Sequence, residues 1–252
     1  MNAPITLITG ASRGLGKSAA QHLARHGADL LLTYKSSASE AAALVKEIEA
    51  MGRRAVALPL DVSQSGTFPA FAAEVKTALA RVWQRETFDH LVNNAGIGIN
   101  APITDTSEAQ FDSLVDIHLK GPFFLTQALV PLMADGGRIV NISSGLARFA
   151  LPGYAAYAAM KGGIEVLTRY MAKEFGPRGI SVNVLAPGAI ETDFGGGAVR
   201  DNAELNAGIA AQTALGRVGL PDDIGGALAL LLQPGNHWIT GQRIEASGGM
   251  FL

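Results

Sequence analysis

The chain contains no cysteine, which removes disulfides, thiol catalysis and cysteine-ligated zinc together. It has no run of about 18 apolar residues free of charges and turn signals, so no membrane span is expected. Met1-Asn2-Ala3-Pro4 lacks the positive region, apolar stretch and cleavage site of a secretory signal, and a cytoplasmic location is expected. No block of one charge sign is present. With 20 basic against 22 acidic residues the net charge is -2, and the pair Arg53-Arg54 reads as a solvated helix exit, so neither nucleic acid nor a membrane surface is an expected partner. Internal repeats and Pro/Ser-rich linkers are also missing. The 252 residues, 48% of them hydrophobic, are therefore expected to form one domain over 1–252.

What is present is glycine, thirty of them, several at the ends of apolar runs, where backbone can lie close to a bound ligand. Short β-branched or leucine-rich runs at 5–9, 29–33, 55–60, 90–92, 138–143, 181–186 and 242–246 alternate with helical patterns at 15–26, 38–51, 67–84, 107–133, 154–175 and 222–232. The runs are near-continuously apolar, as parallel strands covered on both faces require. The predicted fold is α/β: a single Rossmann-type doubly wound parallel sheet of about seven strands with helices on both faces. The segment 191–213, with Gly195-Gly196-Gly197 ahead of a short polar helical pattern, is the candidate substrate lid, because open α/β sheets bind ligands beyond the carboxyl ends of their strands.

Thr9-Gly10-Ala11-Ser12-Arg13-Gly14-Leu15-Gly16 follows the first strand and opens a helix. Gly10 suits a tight turn, Gly14 a close backbone approach and Gly16 helix-on-sheet packing, leaving helix N-terminal amides for a pyrophosphate. An acid ending the second strand would bind the 2′-hydroxyl of NAD, but this chain has Tyr34-Lys35-Ser36 there. Arg13 and Lys35, with no carboxylate beside them, favour a 2′-phosphate and so NADP(H) over NAD(H). Tyr157 and Lys161, four apart, stack on one face of a helix, where an ammonium can lower the pKa of a phenol that is ordinarily about 10.

The TGxxxGxG spacing, Asn93-Asn94-Ala95-Gly96, Tyr157-Ala158-Ala159-Met160-Lys161, Asp61-Val62, Pro187-Gly188 and Ile239-Thr240-Gly241 together resemble the short-chain dehydrogenase/reductase family over essentially the whole chain. That resemblance implies hydride transfer between a nicotinamide dinucleotide and a carbonyl or alcohol, with Tyr157 as general acid/base and Ser144, thirteen residues earlier, on the substrate oxygen. It assigns Asp61 and Val62 to the adenine, Asn93, Ala95 and Gly96 to the adenosine side, and Pro187, Gly188, Ile190 and Thr192 to the nicotinamide and phosphate end. The plainer readings are a helix cap for Asp61 and turn chemistry for Asn93. A homotetramer is also implied, through helices 107–133 and 154–175. No metal site is expected.

One family position departs. His118 stands where relatives carry an asparagine, on a face shared with Phe111, Leu114 and Val115, so it should point inward. It is either a satisfied core histidine or, by its imidazole or main-chain carbonyl, part of the proton relay. Ala246-Ser247-Gly248-Gly249 also lacks the acid often found before the glycines. Leu146, Phe149, Leu151, Tyr154 and Phe194 are the candidate substrate lining, apolar and aromatic, suited to an uncharged ketone, a quinone-like ring or a diketone. Three other readings stay open: an enoyl reductase using Tyr154 with Lys161, a carrier-linked 3-oxoacyl reductase with Lys120 and Arg178 as carrier contacts, and a non-catalytic NADP-binding regulator.

Overall fold

A computed structural model describes residues 3–252; the N-terminal reading of Met1-Asn2 lies outside the described residues. The chain runs β1 (Ile5–Ile8), α1 (Gly14–Arg25), β2 (Asp29–Tyr34), α2 (Ala38–Ala50), β3 (Ala55–Pro59), α3 (Phe68–Ala78), β4 (Phe88–Asn93), α4 (Glu108–Val115), α5 (Gly121–Leu129), β5 (Met133–Ile142), α6 (Ala155–Phe175), β6 (Ser181–Pro187), α7 (Ala198–Asp201), α8 (Ala203–Ala211), α9 (Pro221–Leu232) and β7 (Arg243–Ala246). The seven strands form one sheet in the order β3-β2-β1-β4-β5-β6-β7, every pair parallel. Among the described residues, no helix is long and apolar enough to cross a membrane.

The continuous apolar runs feed two cores because successive strand residues point to opposite faces. Ile5, Leu7, Leu31, Leu91, Ile139 and Val182 pack with α3, α5 and α6 through Phe71, Val75, Leu125, Leu129 and Met171. Ile8, Leu30, Leu32, Val92, Val140 and Leu185 pack with α1, α2 and α9 through Leu23, Leu44, Ile48, Ile224 and Leu228. The strand order reverses at β1, whose neighbours are β2 and β4. Their helices diverge to opposite faces there and leave a crevice beyond the carboxyl ends of β1 and β4.

Two helices depart from the sequence pattern, each for a local reason. The predicted helix 107–133 is α4 and α5 joined by a π turn over Asp116–Lys120, with Gly121 N–H donating back to the Asp116 carbonyl. Pro122, four residues after His118, has no N–H to return to the His118 carbonyl, so regular α-helix cannot pass through. Pro131 likewise cannot donate to Gln127, and the chain leaves the helix to start β5 at Met133 rather than at 138. The predicted helix 67–84 also ends in a π turn, Leu79–Trp83, before Gln84 takes a left-handed φ of 54°.

Across the sheet, Thr6, His90 and Arg138 occupy paired positions on β1, β4 and β5. Arg138 Nη1 lies 3.3 Å from His90 Nε2 and Thr6 Oγ1 lies 3.1 Å from Nδ1, so a neutral ring accepts from the guanidinium and donates to the hydroxyl. Burial first, then the Arg138 charge, push His90 down from 6.5 to about 4, against the opposing pull of Asp89. Between those two values the unfolded chain takes up a proton that the folded chain refuses, so stability is full above pH 6.5 and falls as the pH drops toward 4. Thermal melts between pH 7 and 5 are expected to show a falling Tm, less steep in His90→Asn; an equal slope in the two proteins would remove His90 as a source.

Candidate active site

The glycine loop is held by side chains from the strand on the other side of the crevice. Thr9 Oγ1 accepts from the N–H groups of Asn94 and Ala95 at 2.9 and 3.0 Å. Asn94 Nδ2 donates to the Thr9 and Gly10 carbonyls at 2.9 and 3.1 Å, and Gly10 N–H reaches Thr33 Oγ1 at 3.2 Å. Gly10 has φ +64°, and a Cβ there would stand 3.0 Å from Ala95 Cα; Gly14 has φ +55°, and a Cβ there would meet Thr192 at ordinary contact distance. Gly16 is packed against the loop itself, where a Cβ would strike the Gly10 carbonyl and the Asn94 amide. Arg13 is the N-cap of α1 and makes no side-chain cap bond, and no acid lies in the first turn, so those amides face the crevice without a capping group. Asn94 was missed as a site residue; its signal was its place beside Asn93 in the strand-exit motif.

Asn93 takes another course. Its Nδ2 donates to Asn141 Oδ1 at 2.8 Å and to Thr126 Oγ1 at 3.2 Å, and Asn141 passes the chain on to Thr168 at 2.8 Å. The amide nitrogen is engaged inside, between β4, β5, α5 and α6, while Oδ1 has no partner among the described residues and Asn93 lines a small cavity with Thr9, Val62 and Ala95. Asp61 accepts from Ser63 N–H and Oγ–H at 3.0 and 2.7 Å and pairs with Lys35 at 2.8 Å, so Lys35, expected without a carboxylate beside it, has one from the loop after β3. Burial raises its pKa, but the hydrogen bonds from Lys35 and Ser63 outweigh that and hold it below the usual carboxylate value. Lys35, Ser36 and Arg13 are exposed, and Tyr34 is partly buried at the end of β2. At the far end Gly188 N–H donates to the Ala246 carbonyl at 3.2 Å, Ile190 bridges to Gly219, and Thr192 Oγ1 accepts from Phe194 N–H at 3.2 Å.

Ser144, Tyr157 and Lys161 come together at the carboxyl end of β5. Tyr157 and Lys161 are 6% and 5% exposed on α6, and the Lys161 nitrogen lies 5.4 Å from the Tyr157 ring centre. Lys161 donates to the Ile142 carbonyl at 2.8 Å and has no carboxylate partner among the described residues; burial lowers it to about 7. Against the expected lowering by Lys161, burial pushes the Tyr157 phenol well above its ordinary value, with the Ser144 hydroxyl opposing and Tyr154 adding to the rise. Ser144 Oγ accepts from Leu146 N–H at 3.2 Å, which leaves its proton free to donate elsewhere. Ser143 points the other way, donating to Glu165 at 2.7 Å and to the Lys161 carbonyl. Glu165 in turn holds Arg243 at 2.8 Å, and Arg243 donates to the Ser144 carbonyl at 3.2 Å. This brace behind the serine has no signature in local sequence.

His118 is buried and points inward as expected, beside Leu114, while Phe111 stays 42% exposed. Its ring meets Tyr157 edge-on, centres 5.3 Å apart. Nε2 lies 2.9 Å from the Ile97 carbonyl and Nδ1 has no partner among the described residues. The ring fits because residue 96 is glycine: a Cβ there would stand 2.8 Å from His118 Cε1. Burial, then the Lys161 charge, lower His118 to about 3, opposed by the Ile97 carbonyl, so it is neutral at working pH. Of the expected substrate lining, Leu146 and Tyr154 join Tyr157 with Ile97, Ile99 and Met160, and Phe194 sits 5.6 Å from the Tyr157 ring. Phe149 instead packs on Phe251 at 4.7 Å.

A glycine loop opening α1 at the switch point, with a buried Tyr-Lys pair and a serine across the crevice, defines a nucleotide-dependent oxidoreductase of the Rossmann type. Residues 10–251 match a family model described as enoyl-(acyl carrier protein) reductase. The 3-oxoacyl-[acyl-carrier-protein] reductase FabG of Staphylococcus aureus is 38% identical over 98% of this chain and 97% of its own. The hydroxynaphthalene reductase-like protein Arp2 of Metarhizium brunneum is 35% identical over 97% and 94%. Among solved structures, the promiscuous reductase LugOII, which catalyses keto-reduction at C1 during lugdunomycin biosynthesis, superposes with a TM-score of 0.93 at 38% identity, covering 99% of this chain and 98% of that one. The angucycline C-6 ketoreductase LanV with bound NADP has a TM-score of 0.93 at 33% identity, covering 98% and 95%. The chain belongs to the short-chain dehydrogenase/reductase family and is an oxidoreductase of CH–OH and C=O groups.

Proposed function

We propose that this chain is an NADP(H)-dependent ketoreductase acting on an uncharged, mostly apolar ketone or aldehyde, with 1–252 as one nucleotide-binding domain and 191–213 as its substrate lid. The observation that carries this reading is the buried Tyr157 phenol, with Ser144 beside it and Lys161 on its own helix face. The glycine loop fits a dinucleotide: Gly10 and Gly14 adopt left-handed φ that side chains rarely take, and the first-turn amides of α1 are uncapped. In this reading Gly10, Ser12, Arg13, Gly14, Leu15 and Gly16 hold the phosphates, and Asp61, Val62, Ala95 and Gly96 border the adenosine. Ile190 and Thr192 lie at the nicotinamide end. The bound dinucleotide supplies or accepts the hydride at the carbonyl carbon.

The protein's own residues handle the oxygen. Ser144 donates a hydrogen bond to the carbonyl oxygen with its hydroxyl proton, while Leu146 N–H donates to one of its lone pairs and orients the group. Tyr157 gives that oxygen its proton, and the Lys161 ammonium stabilises the phenolate left behind. Neutral His118 offers Nδ1 as an acceptor one layer behind the phenol, the place where a water can pass a proton on. Names of relatives that include hydroxynaphthalene and angucycline reductases support a ring ketone as substrate class. The FabG likeness favours a carrier-bound acyl chain instead, but Lys120 and Arg178, the cations such a carrier would use, are paired to Asp116 and Asp135. An enoyl reductase would use Tyr154, yet it is Tyr157 that Ser144 faces. Exposed Phe123 and Phe124 on α5, with Val166 and Tyr170 on α6, support a homotetramer built through these helices.

Tyr157→Phe is expected to lower turnover by about 10²–10⁴-fold while dinucleotide affinity, read by calorimetry, stays within a few-fold. A variant retaining more than about a tenth of the wild-type rate removes Tyr157 from the role. For the cofactor, kcat/KM with NADPH is expected to exceed that with NADH about tenfold or more, and Lys35→Asp to erase the difference. Equal values in the wild type would sink the NADP reading. His118→Asn is expected to stay within about tenfold of wild type, and His118→Leu to lose more, since an unmade buried hydrogen bond costs about 1–3 kcal/mol. If both variants turn over as wild type across pH 6–9, the imidazole only fills space.

A further inference from the structure

Phe194 and Gly98 are locked together over the catalytic tyrosine. A Cβ placed on Gly98 would stand 2.6 Å from Phe194 Cε1, 2.7 Å from Cζ and 3.2 Å from Cδ1, so the phenylalanine ring occupies the space that any side chain at residue 98 would need. Gly98 is not among the glycines with positive φ. The backbone there would accept any residue, and glycine is required only for room. The same ring lies beside Tyr157, centres 5.6 Å apart and planes tilted by 60°, and is still 43% exposed, so one of its faces remains open.

The chain around Phe194 is tied on its N-terminal side and unpacked on its C-terminal side. On one side its N–H is tied to Thr192, which packs across from Gly14. On the other side Gly195, Gly196 and Gly197 have φ of 61°, 76° and 80°, three left-handed residues in a row, and a Cβ on either of the first two would meet nothing within 4 Å. Beyond them the Arg200 guanidinium grips both Asp193 and Asp201, which closes the loop behind the ring into a small loop. Packed around Tyr157 on this side are Phe194, the Tyr154 ring at 6.5 Å and 70° to Tyr157, Leu146 and Ile99.

We propose that the Phe194–Gly98 interlock sets the substrate preference of the site, narrowing the approach to Tyr157 to an aromatic-walled slot that takes flat ring ketones in preference to flexible straight-chain ketones. The inference rests on the ketoreductase reading and deepens it. A flat ring lies between aromatic faces in offset or edge contact, whereas a linear chain gains only general apolar burial. The ring of Phe194 can offer its face only while residue 98 has no side chain; a methyl group there displaces it about the glycine hinge.

The test is a double-mutant cycle on the ratio of kcat/KM for 1-tetralone to that for 2-octanone, measured with NADPH. Gly98→Ala and Phe194→Ala are each expected to lower that ratio about tenfold, and the double variant to lower it no further, because both remove one and the same contact. Gly98→Ala should also speed tryptic cleavage after Arg200, an effect independent of turnover. A wild type active on ketones, with a ratio that Gly98→Ala leaves unchanged or with the two effects multiplying, overturns the interlock and spares the ketoreductase reading. A folded wild type inert on every ketone overturns both.

Discussion

A parallel sheet delivers the carboxyl ends of all its strands to one edge, and the functional arrangement of this protein follows from that constraint. Thr9 follows β1, Tyr34 ends β2, Asp61 follows β3, Asn94 follows β4, Ser144 follows β5 and Gly188 follows β6. Residues far apart in the chain are thus set side by side without any long loop having to reach inward. The reversal of strand order at β1 opens the crevice, and the Asn94 amide, bonded to the carbonyls of Thr9 and Gly10, ties its two banks together.

Within that edge the unusual element is Lys161, buried, lowered to about 7 and bonded, among the described residues, to the Ile142 carbonyl alone. An acid lies one turn along the same helix, Glu165, but Ser143 and Arg243 engage its carboxylate. The brace has two effects. It keeps an anion from neutralising Lys161, and through the Arg243 bond to the Ser144 carbonyl it fixes the loop that carries the serine. A buried cation without a counterion is unfavourable for folding, and sites of that kind are where function sets the residue choice. The neutral His118 ring beside it adds no second charge to the same volume.

The fold was legible in the sequence because its signals are local. Apolar runs of strand length alternating with helical patterns lead directly to a doubly wound sheet, and all seven strands fall where those runs lie. The places where the pattern misled also have local causes: Pro122 and Pro131 interrupt a stretch whose apolar periodicity alone reads as one helix. Of the candidate site, the glycines of the first loop and the Tyr157–Lys161 pair were legible for similar reasons, since backbone geometry and helical spacing constrain them within a few residues.

Other features depend on partners that no nearby residue announces. Asn93 turns inward because Asn141 and Thr126 await its amide, and Asn94 turns toward the glycine loop, although the two are adjacent and identical. Phe149 was expected in the apolar and aromatic substrate lining, but Phe251, about a hundred residues on, draws it to the carboxyl-terminal tail. Phe194 and Gly98, Arg243 and Ser144, His118 and Gly96 meet across the sheet edge in the same way. By itself the sequence determined the elements, the turns that need glycine and the spacing of the reactive pair, because these depend on neighbours along the chain. Which side chain faces the crevice, which braces it and which only fills the core was decided by tertiary structure, since burial and hydrogen-bond partners exist only once distant segments have packed.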